Sequence, residues 1–209
     1  MKKGKFITFE GIDGCGKTTQ AKRLAMHLKR MGIPILFTLE PGGTQLGLKI
    51  RKILLDPKNK DMSLLTELFL YLADRAQHLE EIIIPSLKKG LWVISDRFYD
   101  ATLAYQGYGR GMELSFIESL NKKICDQIKP DLTFLLDCPT DTAIKRAFNR
   151  KIKKDQIRFE QEKLDFHEKV RSGYLSLAMK NKDRIIIIDA TKNIDKIEKD
   201  ILKIVKSLL

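Results

Sequence analysis

Residues 11–18 read Gly11-Ile12-Asp13-Gly14-Cys15-Gly16-Lys17-Thr18, a match without deviation to the G-x-x-x-x-G-K-[ST] phosphate loop. No other stretch constrains the fold so tightly. Such a loop works between a buried strand and a helix. Its glycines let the backbone curl until successive N–H groups face phosphate oxygens, and the helix N-terminus adds partial positive charge. Both neighbours are present: Phe6–Phe9 is apolar, and the segment from Thr18 to Met31 is amphipathic. The motif places all eight residues on the phosphates of a nucleoside triphosphate. Lys17 reaches the β- and γ-phosphates, and Thr18 offers its hydroxyl to Mg²⁺. Cys15 reads as a small loop residue, not a nucleophile. Motors, switches, nucleic-acid enzymes and small-molecule kinases all share this loop, so it names the ligand and not the reaction.

The remaining chain alternates short apolar runs with amphipathic stretches. The runs are Lys5–Phe9, Ile33–Thr38, Leu91–Ser95, Asp131–Leu136 and Arg184–Ile188. They do not alternate with polar residues, as expected of strands buried on both faces. Helical patterns fall at about Lys17–Met31, Leu46–Leu55, Leu64–Lys89, Leu114–Lys129, Thr140–Arg150, Gln156–Asn181 and Ile194–Leu208. The expectation is an α/β, three-layer P-loop NTPase fold: a five-stranded parallel sheet flanked by helices on both faces, with a mobile lid. At 209 residues, with no repeat, low-complexity tract or linker, residues 1–209 read as one domain.

Composition narrows the setting. Cys15, Cys125 and Cys138 are widely spaced with no CxxC, which argues against a disulfide scaffold and a zinc site. No run approaches the ~20 apolar residues of a membrane span, and the basic N-terminus lacks a signal-length apolar stretch. A reduced, soluble, cytoplasmic protein is expected. Lys plus Arg number 39 against 27 Asp plus Glu, a net +12 that suggests polyanionic partners. Seven of the basic residues lie between Lys145 and Arg158 against one acid, Asp155. That stretch reads either as a solvated helix face or as a lid that closes over phosphates.

Leu91–Ser95 leads directly into Asp96 and Arg97. In an open parallel sheet ligands sit beyond the carboxyl ends of the strands. Asp96 is placed to hold metal-bound water or orient an attacking oxygen, and Arg97 to stabilise charge on phosphoryl oxygens. A strand-end ion pair is the plainer reading of the same two residues.

Five segments then resemble one family in order. They are Glu40-Pro41-Gly42-Gly43-Thr44, Ala73-Asp74-Arg75-Ala76-Gln77-His78, Asp96-Arg97-Phe98, Ala104-Tyr105-Gln106-Gly107, and Arg158-Phe159-Glu160 followed by Phe166 and Tyr174. Together with the phosphate loop they resemble the thymidylate (dTMP) kinases, from about residue 5 to residue 190. The resemblance implies phosphoryl transfer from ATP to dTMP, giving ADP and dTDP in dTTP biosynthesis, with Mg²⁺, a homodimer, and neither nucleic acid nor membrane as partner. It implies that Asp13 contacts the sugar 3′-hydroxyl or the acceptor phosphate. Arg97 bridges the two phosphates and Arg51 holds the acceptor phosphate. Arg75 bonds thymine O4, Tyr71 stacks on the base, and Thr102, Tyr105 and Gln106 complete the dTMP site. Tyr71 and Arg75, four apart on a helix, share a face and could stack a pyrimidine and read its edge. Phe69 reads as core.

The phosphate loop holds no arginine at positions 12–15, so the chain resembles the subclass that supplies one from the lid. Arg146 and Arg150, one helical turn apart, are the candidates, alongside Lys17, Asp96 and Arg97 as catalytic groups and Thr18 and Asp96 at the metal. Leu39 stands where the family usually has arginine before Glu40. The competing readings are another nucleoside or nucleotide kinase, such as a deoxynucleoside or guanylate kinase, and a nucleic-acid-binding NTPase suggested by the net charge. Against the second, the charge is clustered and lacks interleaved aromatics.

Overall fold

The computed structural model describes residues 4–126, 128–149, 158–159 and 162–208. Five strands, β1 (Phe6–Glu10), β2 (Ile35–Leu39), β3 (Trp92–Asp96), β4 (Leu132–Asp137) and β5 (Ile185–Asp189), form one parallel sheet in the order β2-β3-β1-β4-β5. The three inner strands are apolar on both faces because both faces are covered. On one face Phe6 and Val93 pack against Leu79 and Ile83. On the other, Ile7, Phe9 and Ile94 join Leu24 and Leu28 of α1 (Lys17–Arg30).

The outer strands depart from the expectation of two buried faces. β2 is half-buried along most of its length, and Ile187 on β5 is 47% exposed. Each forms one edge of the sheet, where coverage thins.

Helices α2 (Gln45–Leu55), α3 (Leu64–His78) and α9 (Ile194–Val205) start on Thr44, Ser63 and Asn193, whose side chains accept backbone N–H bonds of the first turn. The expected single helix over 64–89 is α3, a wide turn at Leu79–Ile83, and α4 (Ile84–Lys88). Pro85 lacks the N–H that a regular ladder needs, and the preceding turn widens around it. A short helix α5 (Tyr99–Thr102) and a second wide turn, Leu103–Gly109, follow β3 where no helix was expected. The remaining helices are α6 (Leu114–Cys125), α7 (Thr140–Phe148) and α8 (Leu164–Lys180). None of the described helices is long and apolar enough to cross a membrane.

Candidate active site

The carboxyl ends of β1 and β3 create the site. From β1 the chain turns at Gly11 with φ +134° and at Gly14 with φ +90°, a backbone region open mainly to glycine. The loop then enters α1 at Gly16, which brings no side-chain cap, so no capping side chain among the described residues competes with a phosphate for the first N–H groups of the helix. Lys17 curls over the loop: its Nζ donates to the Ile12 carbonyl at 2.9 Å and stands 3.8 Å from Asp13 Oδ1. Thr18 Oγ1 donates to Asp96 Oδ2, which couples the start of α1 to the end of β3. Asp96 Oδ1 is buried with no partner among the described residues.

Arg97 follows in a left-handed conformation, φ +77°, a strain worth roughly 1–3 kcal/mol outside glycine. Its surroundings enforce it. The Arg97 N–H donates to the Phe9 carbonyl at 2.9 Å, and the Phe98 N–H donates to Glu10 Oε1 at 2.7 Å. The turn aims the guanidinium into a polar hub. It donates to Asp13 Oδ1 at 2.8 Å, to the Tyr105 hydroxyl at 2.9 Å and to the Tyr174 hydroxyl at 3.0 Å. Tyr105 in turn donates to Asp13 Oδ2 at 2.9 Å, and Tyr174 to Glu10 Oε2 at 2.8 Å.

The hub drives two carboxyl groups apart. Burial pushes the Asp13 carboxyl up, but Arg97 and Lys17 outweigh it and hold the group well below the usual carboxylate range. Burial, reinforced by Asp100, pushes Glu10 from its ordinary 4.5 up to about 8, against the pull of Arg97. The native state therefore binds more protons than the unfolded state between those two values, and stability falls as pH rises through that window. Glu10→Gln should flatten this decline. Denaturant midpoints measured at pH 5.5 and 8.5 check it; equal slopes for wild type and variant would refute it.

Beside the hub opens a cavity of about 340 Å³. Asp13, Lys17, Thr18, Asp96 and Arg97 line one end, and Arg51, Tyr71, Arg75, Thr102, Tyr105 and Gln106 line the rest. The Tyr71 and Phe159 ring centroids lie 6.3 Å apart with planes inclined at 56°, and Phe159 meets the Tyr105 ring edge-on at 5.6 Å. Arg51 is steadied by the Pro41 carbonyl at 2.8 Å. Arg75 is 1% exposed and wholly internal, not a surface arginine. It donates to Glu40 and Asn121 at 2.9 Å each and to the Phe98 carbonyl at 3.1 Å, leaving two of its five N–H donors for a ligand. Thr102 Oγ1 is buried without a partner among the described residues.

A phosphate loop joined to a closed-in aromatic and guanidinium cavity suits a kinase of a small nucleotide, and comparison with known proteins decides which. The family model for thymidylate kinase matches residues 9–201. The chain belongs to the thymidylate kinase family. Thymidylate kinase of Geotalea daltonii is 51% identical over 196 residues, covering 92% of each chain, and that of Desulfosudis oleivorans is 50% identical over 189 residues, covering 88% of each. The crystal structure of thymidylate kinase from Ehrlichia chaffeensis superposes with a TM-score of 0.79 at 36% identity, covering 98% of this chain and 99% of that one. Members of the family transfer a phosphoryl group from ATP to dTMP, giving dTDP for dTTP synthesis, and this chain is such an ATP-dependent monophosphate kinase.

The residues expected at the acceptor gather in one cavity, while of the seven basic residues in the 145–158 run only Lys145, Arg146 and Arg158 are among the described residues. Arg146 does not line the cavity; its Nη1 donates to the Ala190 carbonyl at 2.9 Å, beyond the end of β5. Arg150 lies outside the described residues, as do 151–157 of the expected lid. Arg158, the last residue of the basic run, is buried, pairs with Glu67 and donates to the Leu54 carbonyl at 2.8 Å. Phe69 is 51% exposed and not core: Leu68, Leu72 and Arg75 form the buried face of α3, and Phe69 lies off it. The sequence reading missed Glu10 and Glu67, and it gave Phe159 no role at the cavity. A carboxylate ending a wholly buried strand was the available signal for Glu10.

Proposed function

We propose that this chain phosphorylates dTMP with the cavity residues in the following roles. The main support is the junction itself: the phosphate loop and the Tyr71–Arg75 face open into the same cavity. With ATP phosphates in the loop and dTMP against Tyr71, an acceptor phosphate oxygen attacks the γ-phosphorus, and the bridging oxygen leaves with ADP. The chain itself forms no covalent bond, so its work is positioning and charge neutralisation. Lys17 and Arg97 stand where the two phosphates meet, and Arg51 lies on the acceptor side. Tyr71 stacks on the base with Phe159 beside it, Arg75 donates to thymine O4, and Thr102, Tyr105 and Gln106 close the sugar and base pocket. Asp13, held ionised by Arg97, accepts from the acceptor sugar while orienting that guanidinium.

Thr18 and Asp96 are the residues that would hold Mg²⁺. The unpartnered buried Asp96 Oδ1 next to a hydroxyl is the oxygen-donor set a hard cation takes, and the ion would neutralise phosphate charge there.

A homodimer fits the exposed apolar side chains Leu65 and Phe69 on α3 and Phe116 on α6. Sedimentation equilibrium should then give twice the 24.1 kDa chain mass, and a single-chain mass would exclude the dimer. The decisive experiment is a coupled ADP-release assay with ATP, Mg²⁺ and each nucleoside monophosphate in turn. dTMP should give the highest kcat/KM; preference for GMP or AMP would displace this reading.

A further inference from the structure

Glu67 is 1% exposed on α3, one turn before Tyr71, and has no part in the roles above. Its carboxylate accepts from Gln106 Nε2 at 2.8 Å, from Arg110 at 3.2 Å, and from Arg158, whose Nη1 is 2.8 Å away. Two guanidinium groups already neutralise the buried charge, so the Gln106 contact is not needed for charge balance. Its consequence is orientation. A glutamine amide has one end that only donates and one that only accepts, and a half-turn of the terminal torsion exchanges them. A carboxylate only accepts, so Glu67 fixes the nitrogen toward itself. Gln106 Oε1 is left on the other side, without a partner among the described residues, on a side chain that lines the acceptor cavity.

We propose that Glu67 is a specificity-determining positioning residue. By holding Gln106 with its oxygen toward the base, it selects a pyrimidine that carries hydrogen on N3 and rejects one whose N3 is a bare acceptor. dTMP carries that hydrogen. dCMP brings a lone pair against a lone pair in a buried site, where an unmade hydrogen bond is costly. The inference rests on the cavity being the dTMP site and deepens that reading.

The test sets dTMP against dCMP as competing substrates for the full-length enzyme, Glu67→Gln and Glu67→Asp. Glu67→Gln keeps the shape but can donate as well as accept, which frees the Gln106 amide to turn. Its preference for dTMP over dCMP should fall by roughly tenfold or more. It falls and does not vanish, because Arg75 still opposes the cytosine amino group. Glu67→Asp remains acceptor-only and should keep the preference even where the KM for dTMP rises. An unchanged ratio in Glu67→Gln, or an equal loss in both variants, overturns the inference and leaves Glu67 a structural ion-pair partner. Should Glu67→Gln not yield folded protein, the double variant Glu67→Gln/Arg110→Gln, which removes one guanidinium together with the carboxylate, decides: a comparable fall in preference supports the inference and an unchanged one overturns it. A wild-type enzyme that does not phosphorylate dTMP would overturn the proposed function instead, so the two failures are distinguishable.

Discussion

Arg97→Ala should lower turnover by about 10³-fold, the range seen when a guanidinium that stabilises a phosphoryl-transfer transition state is lost. One side chain here serves two ends. Its fork spans Asp13, Tyr105 and Tyr174, so it fixes the phosphate loop relative to the wide turn and to α8, while its charge faces the transferring group. Arg97→Lys should recover little, with turnover still about 10²-fold down. The three contacts leave two nitrogens of a rigid planar fork, whereas an ammonium offers its donors from a single point and cannot span the same partners. Loss of Arg97 also removes the strongest opposing charge from the half-buried Asp13, so the pH dependence of turnover should shift upward on its acidic side. Single-turnover ADP formation across pH checks both statements. A loss below tenfold in Arg97→Ala would remove Arg97 from the chemistry.

The strands were legible in sequence to within two residues, and the error at their carboxyl ends has a cause. The apolar runs seem to stop at Phe9, Ser95 and Leu136, yet Glu10, Asp96 and Asp137 continue the ladder opposite Leu135, Leu39 and Asp189. A carboxylate reads as a strand end although its backbone still pairs. Glu10 and Asp96 stand at the edge where a parallel sheet puts its chemistry, whereas Asp137 pairs with Arg171 away from the cavity. Tyr71 and Arg75 were legible through the family resemblance, with which helical spacing on one face agrees. Glu67 was not, because Gln106 and Arg158 lie 39 and 91 residues away in sequence and only tertiary packing brings them together. The wide turn at 103–109 was also hidden. What orders it is close packing on α8: Gly109 lies against Phe166 and Val170, and Gly173 against the Tyr108 ring. Local composition does not record such an approach.

Gly14→Ala is expected to damage the phosphate cradle most among single-methyl changes. A Cβ there would stand 1.8 Å from the Ala143 carbonyl oxygen, backbone against backbone, with no rotamer to relieve it. Strain at φ +90° adds to the clash, and together they should cost roughly 3 kcal/mol or more. Either α7 retreats or the loop uncurls, and both move N–H groups off the phosphates. ATP KM should rise, or turnover fall, by about 10²-fold or more. Two other glycines separate the contributions. Gly16 has a similar φ of +98°, but its Cβ would meet nothing nearer than 3.9 Å, so Gly16→Ala carries strain without the clash. Gly32, at φ +80° with open space around it, lies outside the site, so Gly32→Ala should lower the thermal midpoint while ATP KM stays at the wild-type value. Were Gly14→Ala to match Gly32→Ala in ATP KM, the approach of the loop to α7 would have no part in binding the nucleotide.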